Sequence, residues 1–84
     1  MGILRLNNYK KKIRELILDI EPYEVFNDDT DLFQKGIMKS LCFMYLVTEL
    51  EREYGFIFPE EGLDIRNFDT VDHISDLLIS INET

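Results

Sequence analysis

The chain has one cysteine, one histidine and two prolines, and none of its apolar runs is long. Each shortage excludes something. A lone Cys42 forms no internal disulfide and fits a reducing compartment. His73 has no cysteine or second histidine near it, so zinc is not expected there. A helix that spans a bilayer needs about 20 apolar residues, and no stretch approaches that. Residues 1–8 lack the apolar centre of a secretory signal. The expectation is a soluble, cytoplasmic protein that does not insert into membranes. No glycine-rich phosphate loop and no nucleophile–base pair is visible. Asp28, Asp29 and Asp31 resemble a calcium loop only in part: that loop needs a glycine sixth and a glutamate twelfth, and Phe33 and Lys39 stand there.

At 84 residues the chain is long enough for one domain, spanning 1–84 with a core over about 8–81. A domain of this size hides roughly 60–65% of its unfolded surface, which leaves little room for a deep active site. Hydrophobic residues make up 45% of the sequence, ten of them Phe or Tyr, and this composition is globular. The net charge of −8 is unevenly spread. Residues 1–14 hold five bases and no acid; residues 15–84 hold all seventeen acids and four bases. Such an acidic body repels nucleic acid and attracts basic partner surfaces. The lysine run at 10–12 reads as the solvated face of a helix.

Apolar spacing predicts a first helix over 8–20 with Tyr9, Ile13, Leu16, Ile17 and Ile20 on one stripe, Asn7 or Asn8 as its cap, and Pro22 as its stop. A long connection follows over 21–39, pinned by Phe26, Leu32, Phe33 and Ile37; loops of this length are often functional. A second helix is predicted over 41–54, with Ser40 as N-cap, a stripe of Phe43, Val47, Leu50 and Tyr54 with Leu46 beside it, and Gly55 as its end. Phe56-Ile57-Phe58-Pro59 has no strand to pair with and reads as a loop that drops aromatics into the core. A short helix is expected over 60–66. The last helix starts at the cap Thr70 and carries Val71, Ile74, Leu77, Leu78 and Ile81 inward. The fold class is therefore all-α, a small four-helix bundle of three long helices and one short.

Ser40 is the residue with the most to say about function. It stands where the long loop meets the second helix, with no sequence-adjacent base, acid or metal ligand. At an N-cap a serine ordinarily just accepts hydrogen bonds from free backbone N–H groups. Its place also suits modification by another enzyme: a phosphodiester on its oxygen would sit at a helix N-terminus, where N–H groups and the dipole favour an anion. Cys42 reads as a small buried hydrophobe or a reactive thiol near a helix start. His73 falls off its helix's apolar stripe and is expected to face solvent. An enzymatic reading, with Ser40 or Cys42 as nucleophile, needs a base within reach, and His73 is the only histidine.

Several stretches together resemble the acyl carrier proteins, the phosphopantetheine-attachment family. They are Leu32-Phe33, Gly36-Ile37-Met38-Lys39-Ser40-Leu41, Tyr54-Gly55-Phe56-Ile57-Phe58-Pro59-Glu60-Glu61, and Thr70-Val71 with Ile74. The resemblance runs from Tyr9 to Ile81. The glycine four residues before Ser40, and Thr70 eleven positions after Pro59, are closest to free-standing D-alanyl or peptidyl carriers. The resemblance implies a four-helix bundle of acyl-carrier type. It implies that Ser40 carries a covalent 4′-phosphopantetheine arm derived from coenzyme A, on which an acyl or aminoacyl cargo is held as a thioester. The chain is then a monomeric carrier phosphoprotein and no enzyme. Its partners are a phosphopantetheinyl transferase, an acyl- or aminoacyl-loading ligase and a downstream transferase. Partner recognition falls to Lys39, Leu41, Met44, Tyr45, Glu49 and Glu51. One position departs from the family: Lys39 replaces the aspartate before the serine. That departure leaves open a carrier served by a transferase of altered charge complementarity, or a carrier-like interaction module that is never phosphopantetheinylated.

Overall fold

The computed structural model describes residues 2–83, with side chains from Asn8 onward. Three α-helices, α1 (Gly2–Ile20), α2 (Ser40–Tyr54) and α3 (Val71–Asn82), carry the fold, and there is no strand among the described residues. Glu60–Gly62 and Ile65–Asn67 are single 3-10 turns. The short fourth helix expected over 60–66 is thus replaced by two turns. Asp64 separates them: its backbone is extended, and its carboxylate accepts the Arg66 N–H. The fold is all-helical.

α1 starts well before Asn8, so Asn7 and Asn8 lie inside the helix and neither is its cap. The apolar stripe is as expected, with Tyr9, Ile13, Leu16 and Ile17 buried. α1 and α2 run antiparallel: Lys12 meets Glu53 at 3.4 Å, and Asp19 accepts the Tyr45 hydroxyl at 2.9 Å. The Tyr9 and Tyr54 rings meet edge to face at 5.1 Å. α1 also touches both ends of α3, through Tyr9 Oη donating to Glu83 at 3.0 Å and Lys10 pairing with Asp72 at 2.8 Å. The lysine run is therefore not merely solvated, since Lys10 and Lys12 hold acids on α3 and α2.

The inward stripe of α2 includes Leu46 and Leu50 as expected but is centred toward Cys42, roughly 50–60° round the helix from the expected one at 100° per residue. Cys42, Leu46 and Leu50 are fully buried, while Phe43, Val47 and Tyr54 are half-buried at its flank. Phe43 packs at the side of this stripe. Its ring meets Phe68 at 5.0 Å; Phe68 meets Phe58 at 5.5 Å, and Phe58 meets Phe56 at 4.7 Å, all near perpendicular. This chain of edge-to-face contacts holds the 56–68 segment against α2. Gly55 ends α2 in the left-handed region at φ 69°, with its N–H on the Glu51 carbonyl.

The connection over 21–39 is ordered by named contacts. Arg14 donates to the Phe26 carbonyl at 2.8 Å and to Asp28 at 3.0 Å, and its guanidinium lies 4.6 Å from the Phe26 ring centroid. Asp31 Oδ1 accepts from the Phe33 and Gln34 N–H groups, and Gly36 takes φ 80° to turn the chain back. The Leu32 carbonyl then accepts from both Ile37 and Met38, each at 2.9 Å. Leu32 N–H donates to the Asp69 carbonyl at 2.7 Å, and the Asp28 carbonyl accepts Asp72 N–H at 3.0 Å. Phe26, Leu32, Ile37 and Met38 are buried, and Phe33 is half-buried. The loop is thus sewn to the start of α3, where Thr70 Oγ1 accepts the His73 N–H as expected of the cap.

Candidate functional site

The tight turn over 32–38 delivers the chain to α2 with Lys39 in extended conformation, φ −94° and ψ 173°. The Lys39 carbonyl accepts the Phe43 N–H at 2.8 Å, which makes Lys39 the N-cap and Ser40 the first helical residue. Ser40 is therefore not the cap. Its hydroxyl enters no side-chain hydrogen bond among the described residues, and the residue is exposed. No side chain caps α2, and its first turn holds no acid. The N–H groups there are left for water or for an anion.

Ser40 stands at the lip of an open cleft of about 500 Å³ lined by Phe33, Met38, Lys39, Phe43, Leu63 and Ile65. The floor is apolar, and Lys39 is its only charged lining residue. The cleft is not legible in the sequence. Met38 belongs to none of the apolar stripes, and Leu63 and Ile65 fall within the short helix expected over 60–66. The alternation Leu63-Asp64-Ile65 was the available signal, because two apolar residues flanking an aspartate fit an extended break better than a helix face.

The residues expected to recognise partners are not all presented alike. Lys39 and Ser40 are exposed, and Leu41 and Met44 are 68% and 66% exposed, one turn apart on α2. Tyr45 is half-buried and committed to Asp19, whose carboxylate holds the phenol above its usual pKa. Glu49 pairs with Arg52 at 3.1 Å. Glu51 faces the other way: its carboxylate accepts the Phe58 N–H at 2.9 Å and fixes the loop after α2. Lys39, Ser40, Leu41 and Met44 gather at the start of the helix; Glu49 and Glu51 lie further along it in structural roles.

Cys42 and His73 are each set by their own surroundings. Cys42 is buried, and desolvation pushes its thiol up to about 11, aided by the nearby Glu21 carboxylate, so it is protonated at neutral pH. His73 Nδ1 is hydrogen-bonded to Asp69, which raises the imidazole pKa, with Asp76 and Asp72 adding to the effect. Among the described residues no group of three or more His, Cys, Asp or Glu side chains is placed to hold a metal ion. None of the helices there is long and apolar enough to cross a membrane. Comparison with protein-family models, with curated proteins and with solved structures found no match to this chain.

Proposed function

We propose that this chain is a carrier, which holds an acyl or aminoacyl group as a thioester on a 4′-phosphopantetheine arm attached to Ser40. The observation that carries the reading is the state of Ser40: an exposed residue at the start of α2, in the lining of an apolar cleft whose other side chains include no His, Asp or Glu. Such a hydroxyl is poorly placed to act as a nucleophile by its own means and well placed to enter another enzyme's site. In the loading step Ser40 Oγ forms a bond to phosphorus while the pyrophosphate bond of coenzyme A breaks, and the adenosine 3′,5′-bisphosphate half leaves with the bond's electron pair. The transferase supplies Mg²⁺ and the base that takes the hydroxyl proton. The surroundings suit the group: the phosphodiester would meet the uncapped, acid-free start of α2, and the cleft offers apolar side chains to the arm. When bound, the arm supplies the thiol that holds the cargo.

On this reading the bundle is of acyl-carrier type and acts as a cytoplasmic monomer without catalytic activity of its own. Its partners are the phosphopantetheinyl transferase, the ligase that loads the cargo and the transferase that removes it. An acidic body favours transient, charge-steered encounters with basic surfaces. Lys39 favours a second reading, a carrier-like interaction module that is never modified.

Intact-mass analysis separates the two. The protein is incubated with coenzyme A, Mg²⁺ and either a broad-specificity phosphopantetheinyl transferase or extract of its source cells, with Ser40→Ala as control. The expected result is a gain of one phosphopantetheine, absent from the control. No gain from either source, under conditions that load another carrier protein, would refute the carrier reading.

A further inference from the structure

Lys39 stands out once the chain's cations are traced. Among the described residues Lys10, Lys12, Arg14, Arg52 and Arg66 each hold a carboxylate, and Lys35 donates to the Val25 carbonyl. Lys11 and Lys39 hold none, although the chain has seventeen acids, and of the two only Lys39 lines the cleft beside Ser40. It is exposed and extended at the mouth of the cleft, one residue before Ser40. Ile65, in the same lining as Lys39, is 64% exposed, and on the start of α2 that follows Lys39 the apolar residues Leu41 and Met44 are 68% and 66% exposed. The result is a cation with no carboxylate partner near exposed apolar residues, next to the one hydroxyl the carrier reading needs an enzyme to reach.

We infer that Lys39 selects the enzyme that loads Ser40, by pairing with a carboxylate that this enzyme presents beside the apolar residues covering Leu41, Met44 and Ile65. The inference rests on the carrier reading. Covering those apolar residues desolvates the ammonium, so a partner with no anion there leaves the charge unpaired, and a partner with a cation there is repelled. The rest of the chain is acidic, so the carboxylate is a local feature of a surface otherwise neutral or basic. The pairing therefore works by excluding wrong partners more than by speeding encounter.

The test compares wild type, Lys39→Asp and Lys39→Met, with Ser40→Ala as control, by initial rates of phosphopantetheine gain in intact-mass spectra. Two enzyme sources are used: a broad-specificity transferase that acts on carriers with aspartate at this position, and extract of the source cells with added coenzyme A. The expected orders are opposite. The broad-specificity enzyme loads Lys39→Asp roughly tenfold faster than wild type, and the extract loads wild type roughly tenfold faster than Lys39→Asp, with Lys39→Met between them in both. Both differences shrink at high salt. Equal rates for wild type and Lys39→Asp with either enzyme, or the same order with both, would overturn the inference and leave the carrier reading standing. Failure of every variant with both enzymes, while another carrier protein loads, would remove the carrier reading and the inference together.

Discussion

Arg14→Met tests how the loop that presents Ser40 is held. One guanidinium makes three contacts: the Phe26 carbonyl at 2.8 Å, Asp28 at 3.0 Å and the Phe26 ring at 4.6 Å. A hydrogen bond from a charged donor contributes about 1.5–3 kcal/mol. The ion pair is partly exposed and contributes at most about 1 kcal/mol, and the ring contact about 0.5–1 kcal/mol. These share one group and do not add in full, and methionine keeps the packing of the aliphatic stem. The expected loss is about 2 kcal/mol, out of a total of about 4–13 kcal/mol for a domain of this length at the usual stability per residue. In urea, with a slope of about 1.5 kcal/mol per molar, the midpoint falls by about 1 M. Arg14→Lys keeps the charge and loses the fork, so it should fall between. Hydrogen exchange supplies the local readout, because the Leu32, Ile37 and Met38 amides bond within or across this loop and should lose protection before the α1 interior does. A midpoint shift under about 0.3 M, or unchanged protection at those amides, would refute the argument that Arg14 anchors the loop.

Three further expectations follow from burial and electrostatics. Phe68→Ala removes a ring that is fully buried between Phe43 and Phe58 and should destabilise by about 3–5 kcal/mol; a loss under about 1 kcal/mol in chemical denaturation would show that the aromatic chain is not a unit of the core. Cys42, buried with its thiol pushed up to about 11, should react with iodoacetamide at neutral pH only as the domain unfolds; alkylation at the rate of a free thiol would contradict its placement. His73 should titrate by NMR above its ordinary 6.5 because of the Asp69 hydrogen bond, and Asp69→Asn should lower the midpoint. The stability that this pair contributes is fully present below about pH 6.5 and is lost as pH rises through the raised folded value; a folded midpoint at or below 6.5 would reverse that sign.

The parts of the fold legible in sequence are those where local chemistry and packing agree. Thr70 caps α3, and Val71, Ile74 and Leu78 are its fully buried stripe, because an oxygen-bearing cap and a regular apolar repeat point to one helix. Gly55 ends α2 for a similarly local reason. The α1 start was misplaced because asparagine is a good cap, yet it costs only a few tenths of a kcal/mol inside a helix, and Leu4, Arg5 and Leu6 favour continuation. The α2 stripe is legible in part, since Leu46 and Leu50 are buried where the spacing puts them. Periodicity weights large residues and so centres the stripe on Phe43 and Val47, whereas these lie half-buried at the flank and the smaller Cys42 is fully inside. Ser40 itself was legible as the loop–helix junction, but its freedom from capping depended on a one-residue difference in where the helix begins. The cleft was not legible at all, since it joins Phe33, Ser40 and Ile65 from three separate segments.

The most direct measurement is the mass of this chain purified from its own source cells, followed by peptide mapping across residues 36–52. The carrier account predicts a population heavier by one phosphopantetheine, with the added mass on Ser40 and a fraction bearing a thioester-linked cargo released by hydroxylamine. A chain recovered wholly unmodified from cells that load their other carriers, or modified at a residue other than Ser40, would contradict it.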